Sequence, residues 1–202
     1  EEEVIKKYIE KYPNNIIYKR LDEDPGIYDT WNAAIEMSTG EFITNVNCDD
    51  RRPVMAYEEQ AKILFSSPDI DLVYNDSYVS HEPNIMWEDI KSDTKRYNFD
   101  KFSKEAMLRG NLPHNNPMWK KNLHDRFGAF EGKYGFAGDW EFWLRCAFGG
   151  AKFEKANQVL GIYYFNPVGI STNKETESSK KKEEFEIFKK YQKLFLELKQ
   201  EE

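Results

Sequence analysis

The chain has 202 residues, long enough for one domain with a sizeable core, and its 40% hydrophobic and 32% charged content is globular rather than disordered. A formal charge of −7, with one dense basic run at Lys180-Lys181-Lys182, argues against the basic, aromatic-studded face of a nucleic-acid binder, so no nucleic-acid partner is expected. No stretch approaches the ~18 apolar residues of a membrane span, no signal peptide is expected, and the unclustered Cys48 and Cys146 point to a reduced, cytoplasmic setting.

Residues 2–11 place Val4, Ile5, Tyr8 and Ile9 on one helical face, and Pro13-Asn14-Asn15 stops that helix. Ile16-Ile17-Tyr18 is expected to form a short strand. Asp22-Glu23-Asp24-Pro25-Gly26 is a turn, with proline fixing one φ and glycine free to take the other sign. A helix with Trp31, Ala34 and Ile35 facing inward follows and ends at Gly40. Next comes Phe42-Ile43-Thr44-Asn45-Val46-Asn47, a partly β-branched run that reads as a buried strand. Alternation of helix and strand implies a parallel α/β sheet. Residues 54–66 form a helix with Tyr57, Ala61 and Leu64 on one stripe, broken by Ser66-Ser67-Pro68, and Ile70–Tyr74 is a further strand. Residues 76–100 show little periodicity and read as a long irregular excursion. Residues 102–109 make a short helix, Leu112–Lys121 an extended segment, and Leu123–Phe127 a helix closed by Gly128. Residues 139–148 form a helix ended by Gly149-Gly150, and strands are expected near Phe153 and over Val159–Phe165. From Lys174 the tail is an amphipathic helix with Phe185, Phe188, Tyr191, Phe195 and Leu198 on its apolar side.

Two stretches carry chemistry. The strand at Phe42 ends in Asn47-Cys48-Asp49-Asp50, at the kind of position where ligands collect in open α/β sheets. Adjacent aspartates offer hard oxygen ligands for a divalent cation; the alternative is a polar turn in which one of them caps the helix after Pro53. In Gly138-Asp139-Trp140-Glu141-Phe142-Trp143-Leu144-Arg145, Asp139 sits at a helix N-terminus behind the glycine-rich Tyr134–Gly138 loop. It reads either as a general base or as a cap, with Glu141 pairing to Arg145 at i,i+4.

Taken together the blocks resemble the family 2 glycosyltransferases of the GT-A fold. The matching run is Asp24-Pro25-Gly26-Ile27-Tyr28-Asp29-Thr30-Trp31-Asn32, followed by Ala33-Ala34-Ile35, Thr39-Gly40-Glu41 and Asn47-Cys48-Asp49-Asp50. Downstream, Pro113-His114-Asn115-Asn116-Pro117-Met118-Trp119-Lys120-Lys121 is similar to the family's acceptor-side segment, and Gly138-Asp139-Trp140-Glu141 to its base motif. The resemblance implies a Rossmann-like, mainly parallel α/β sheet that lacks the family's first strands, roughly fifty residues at ~30 per βαβ unit. It implies a nucleotide-sugar and metal-binding half over 1–110, an acceptor-side half over 111–173 and a terminal helix over 174–202. The activity implied is inverting transfer of a sugar from a nucleotide-diphosphate donor to a carbohydrate or lipid-linked acceptor hydroxyl, as in cell-surface polysaccharide synthesis. Asp139 is then the base; Asp50, with Asp49, holds Mg²⁺ or Mn²⁺; Asp24, Asn32, Asn47, Asp49, His114, Trp119 and Glu141 line the donor and acceptor sites. Asn47 departs from the family's DxDD pattern, which has an acid at that position. The alternative function is a non-catalytic sugar-binding or scaffolding domain. The terminal helix can pack on the domain, pair two copies, or rest on the inner face of a membrane.

Overall fold

The computed structural model describes residues 2–201; Glu1 and Glu202, at the ends of the first and last expected segments, lie outside them. Helix α1 (Glu2–Lys11) and helix α2 (Ile27–Met37) precede strand β1 (Phe42–Thr44); α3 (Ala56–Ser66) and β2 (Leu72–Ser80) follow. Then come β3 (Arg96–Tyr97), α4 (Lys104–Arg109), β4 (Met118–Lys120), α5 (Leu123–Phe127), α6 (Gly138–Phe148), β5 (Phe153–Tyr164) and α7 (Glu177–Glu201). Among the described residues no helix is long and apolar enough to cross a membrane.

The sheet is mixed. Its longest ladder is parallel, β2 with β5, and short antiparallel ladders join β1 to β4, β4 to β2 and β2 to β3. Thus β4, from the second expected segment, lies between two strands of the first. Side chains alternate across the sheet as a pleated strand requires. Leu72, Tyr74 and Trp119 enter the larger core with α4, α5 and α6, whereas Val73 and Met118 pack beneath α3 with Leu64 and Leu160. The larger core is mostly aromatic: Phe130, Phe142, Trp143 and Trp119 meet at centroid separations of 4.5 to 6.3 Å in tilted and edge-on arrangements.

Four expectations change. Ile16–Tyr18 forms no strand: it has no partner among the described residues, and Ile17 is 71% exposed. Strand β2 continues through Asn75, Asp76 and Ser77 to Ser80, into the stretch expected to be irregular. On α3, Ala56, Gln60 and Leu64 face inward, while Tyr57 turns outward under the Arg52 guanidinium. On α7 the buried residues are Ile187 and Tyr191, with Phe188 and Phe195 packed beside them, and Phe185 points to solvent. The terminal helix therefore packs on the domain.

The polar residues that disguise β2 are held by one another. Gln60 Nε2 donates to Asn75 Oδ1 (2.9 Å) and to the Asn116 carbonyl (2.7 Å); Asn75 Nδ2 donates to Asn116 Oδ1 (2.9 Å); Asn116 Nδ2 donates to Ser77 Oγ (3.1 Å). Ser77 Oγ in turn donates to Asn115 Oδ1 (3.1 Å). All five side chains are buried, where an unpaired amide is costly and a fully paired network rigidifies its surroundings. The register shift between β2 and β5 falls at Asn75–Ser77, and Gly161 opposite leaves room for the Asn116 amide nitrogen, which a Cβ there would strike. Gly161→Ala is expected to cost roughly 1–3 kcal/mol, as overpacked cores do, measured as a lower midpoint in urea unfolding.

Candidate active site

After β1 the chain turns at Asn47–Asp50, where the Asp50 N–H donates to the Asn47 carbonyl (3.3 Å). Arg52 pins the strand end, donating to Thr44 Oγ1 (2.9 Å) and the Asn45 carbonyl (2.5 Å). Arg51 exchanges backbone hydrogen bonds with Ile162 of β5 (3.1 and 2.8 Å). Between them Asp50 is 6% exposed, and its carboxylate accepts from Asn47 Nδ2 (2.9 Å), Asn115 Nδ2 (3.0 Å) and the Tyr164 N–H (3.0 Å). Burial pushes its pKa up against those three donors. Asp49 is half-buried and accepts one long bond from Asn166 Nδ2 (3.3 Å).

Asp139 is the second residue of α6. Its Oδ1 accepts from the Tyr28 hydroxyl (3.1 Å) and its Oδ2 from Asn111 Nδ2 (2.7 Å). Burial raises its pKa above the usual carboxylate range, opposed by Asn111, the Trp140 N–H, Tyr28 and the nearby His114. Gly138 permits this arrangement, because a Cβ there would lie 2.7 Å from the Tyr28 ring. His114 takes a left-handed backbone conformation (φ 47°), uncommon outside glycine, and its ring packs against Tyr97, Phe99 and Tyr163 at 4.9 to 5.4 Å. Burial lowers its pKa, so the imidazole is neutral near pH 7. Its Nδ1 lies 3.1 Å from Asn115 Oδ1, an oxygen that only accepts, which puts the proton on Nδ1 and leaves Nε2 an acceptor.

Asn47, His114 and Asp139 share one open cleft of about 730 Å³, which neither Asp49 nor Asp50 lines. Asn45, Asn47, Asn115 and His114 line it from the sheet side, and Tyr28, Asn111 and Asp139 line it from the helical side. Tyr97 and Tyr163 form an aromatic wall, and residues 170–174 with the start of α7 close the rim. Polar groups converging on flat aromatic surface suit a hydroxyl-rich ligand.

Six of the expected site residues, Asp24, Asn32, Trp119, Glu141, Asp50 and Asp49, do not line this cleft. Asp24 is exposed and uses Oδ1 to accept from the Gly26 N–H (2.9 Å), so it builds the turn. Asn32 donates to the Phe130 carbonyl (2.8 Å) and accepts from its N–H (3.0 Å), stapling α2 to that backbone. Trp119 is 1% exposed in the aromatic core, its indole N–H donating to His124 Nε2 (3.0 Å), and it does not line the cleft. Glu141 is fully buried, accepting from Arg145 (2.8 Å), Lys190 (2.8 Å) and Tyr191 (2.7 Å). Burial alone would raise its pKa; these donors hold it below the usual range, so it is a structural ion-pair centre. Asp50 has both oxygens engaged by protein donors and, like Asp49, is absent from the cleft lining. Among the described residues no three His, Cys, Asp or Glu side chains converge as a protein-only metal cage. Asn111, Tyr97 and Tyr163 line the cleft from outside the motif runs, and Tyr28 and Asn115 lie inside the runs without being singled out by them.

The glycosyl transferase family 2 model matches residues 1–130. The chain is similar to an uncharacterized glycosyltransferase of Methanocaldococcus jannaschii, 25% identical over 162 residues, covering 80% of this chain and 54% of that protein. It is also similar to a PGL/p-HBAD biosynthesis glycosyltransferase of Mycobacterium bovis, 24% identical over 157 residues, covering 75% of this chain and 52% of that protein. The chain thus spans about half the length of these curated relatives. Among solved structures, S. aureus TarS residues 1–349 with UDP-GlcNAc superposes with a TM-score of 0.61 at 14% identity, covering 80% of this chain and 46% of that one. The mannosyltransferase PcManGT of Pyrobaculum calidifontis, with GDP-Man and Mn²⁺, gives 0.58 at 16% identity, covering 83% and 45%. At such identities the structures speak for the fold, and the family match decides the rest: this chain belongs to glycosyl transferase family 2 and has its GT-A architecture.

Proposed function

We propose that the cleft is the reaction site of an inverting glycosyltransferase that moves a sugar from a nucleotide-diphosphate donor to an acceptor hydroxyl. The observation that carries this reading is Asp139, a cleft carboxylate held by Tyr28 and Asn111 with a raised pKa and no cation paired to it. Inversion requires one displacement and one base. Asp139 takes the proton of the acceptor hydroxyl as its oxygen bonds to the anomeric carbon and the bond to the diphosphate breaks, releasing the nucleoside diphosphate. His114 Nε2, as an acceptor, would hold a sugar hydroxyl, and the Tyr97 and Tyr163 rings would take a sugar face.

For the metal, the chemistry of the donor set fits a shared rather than a caged ion. Asp49, two residues beyond the cleft-lining Asn47, supplies a carboxylate that accepts one long bond, and Asn47, whose Nδ2 is committed to Asp50, retains its amide oxygen at the cleft. Mg²⁺ or Mn²⁺ is commonly held by one or two carboxylates together with substrate phosphates. Asp49 is the ligand of choice, and such an ion would neutralise charge gathering on the leaving diphosphate. The UDP-GlcNAc and the GDP-Man with Mn²⁺ in the solved relatives support this donor class.

Three outcomes test the reading in the full-length protein. Asp139→Asn keeps the side-chain shape and one acceptor oxygen, so stability should change by only about 1 kcal/mol. Its turnover should fall roughly 10²- to 10⁴-fold with donor affinity retained, and a near-normal rate in a folded variant would leave Asp139 only a hydrogen-bond partner of Tyr28 and Asn111. Asn111→Ala removes a donor to the ionised form, so the Asp139 pKa should climb further and the rising limb of the pH–rate profile should move to higher pH. Because the folded pKa of this acid is raised, the same group contributes stability at low pH that is lost as pH rises through it, and Asn111→Ala should extend that window upward. Titration calorimetry with UDP and GDP should show tighter nucleotide binding with Mn²⁺ than with chelator, a difference that Asp49→Ala abolishes; equal affinities would refute the metal assignment.

A further inference from the structure

Helix α6 begins without a local cap. The residue before it is Ala137, which has no side-chain acceptor, and the loop Gly135-Phe136-Ala137 exposes three consecutive backbone N–H groups. A helix start of this kind leaves orphan donors that must find a partner. The partner comes from 46 residues away: Glu183 on α7 accepts from the Gly135 N–H through Oε2 (2.8 Å) and from the Phe136 and Ala137 N–H groups through Oε1 (2.8 and 2.5 Å). The loop is therefore held on one side by the Tyr28 ring against Gly138 and on the other by a carboxylate from the terminal helix.

We propose that Glu183 is a positioning residue for glycosyl transfer, fixing through three backbone N–H groups the loop that delivers Asp139 to the acceptor. This rests on the reading of Asp139 as the base. A second contact in the opposite sense completes the device: Glu141, two residues after Asp139, accepts from Lys190 and Tyr191 of α7. Two carboxylates, one from each helix, thus splint the first turn of α6 to α7, with Ile187 buried between Glu183 and Tyr191 along the helix. Charge-assisted bonds from a carboxylate to backbone amides are about twice as strong as neutral ones, so the loop has one favoured position. Catalysis is sensitive to that position, since a misplacement of about 1 Å can cost 10²-fold in rate. The terminal helix, which contributes no base or metal ligand, in this way enters the rate.

The test uses the full-length protein below its melting temperature. Glu183→Gln keeps the size and one acceptor oxygen while removing the charge and placing an NH₂ against N–H donors. Its kcat should fall at least about tenfold with the donor KM within twofold, while backbone amides 135–137 exchange hydrogen faster and those of β2 stay protected. Glu183→Asp, one methylene shorter but charged, should recover part of the kcat. Unchanged kcat despite faster exchange at 135–137 would overturn the proposal and leave Glu183 a stabilising cap, as would a loss confined to KM. Asp139→Asn in the same assay separates the two failures: a dead Asp139→Asn beside a fully active Glu183→Gln refutes positioning alone, whereas an active Asp139→Asn removes the base reading and this one with it.

Discussion

The Asp50 carboxylate is the joint on which the site depends. It is buried, and a buried carboxylate is tolerated only when its lone pairs are met, which here requires three separate pieces of chain to arrive together. Asn47 brings the turn after β1, Tyr164 brings the end of β5, and Asn115 brings the segment that leads into β4. Asn115 also accepts from Ser77, so the joint continues into the amide network beneath α3. Three strands that are far apart in the chain are thereby brought into one corner of the sheet. The cleft opens beside that corner because Asn47, Asn115 and His114 face it while their neighbours are occupied in holding the framework.

The helical wall obeys a different logic. Its rigidity comes from aromatic packing below and ionic contacts above. Phe142, Trp143 and Phe130 fill the space under α6, and His124 stacks on Phe142 with rings nearly parallel at 4.8 Å. On the upper side Glu141 is neutralised by Arg145 and Lys190, so the helix bearing Asp139 carries a second acid without placing an uncompensated charge near it. That separation matters because a free carboxylate so near would add to the upward shift that burial already imposes on Asp139.

Much of this was legible from residue order, and the failures have physical causes. Helices over 2–11, 102–109, 123–127 and 139–148 follow directly from apolar period and stop signals, because those are local properties. Strand pairing is not local. Ile16–Tyr18 has strand composition, yet a strand exists only with a partner, and none stands beside it among the described residues. Conversely Asn75, Asp76 and Ser77 look like a loop but continue a strand, since Asn75 and Ser77 are bonded within the buried amide network and Asp76 to Lys155 and the Phe99 N–H. At the site, the motifs point to Asn47, His114 and Asp139. They miss Asn111 and Tyr28, whose bonds to Asp139 span 28 and 111 residues and leave no trace in spacing. Trp119 and Asn32 mislead for the converse reason, since aromatic and amide side chains serve a core or a staple as readily as a ligand.

The four acidic residues of the two motifs show why a motif letter does not assign a role. Asp50 and Glu141 are both buried, and each has both oxygens engaged by donors from the protein. Glu141 accepts four bonds and Asp50 three, so most of their acceptor capacity is spent on architecture. Asp139 meets two side-chain donors but faces the cleft, and Asp49 meets one at long range while half-exposed. These two keep more of their acceptor capacity than the other pair. The pairing of one committed and one open acid in each motif is itself the design: the committed member fixes the backbone within a residue or two of the open one. An open carboxylate on a mobile loop would relax toward water, whereas one anchored through its neighbour keeps its direction and its desolvation. In each motif the more fully bonded acid and the less fully bonded one are therefore close in sequence, and burial together with donor count distinguishes them.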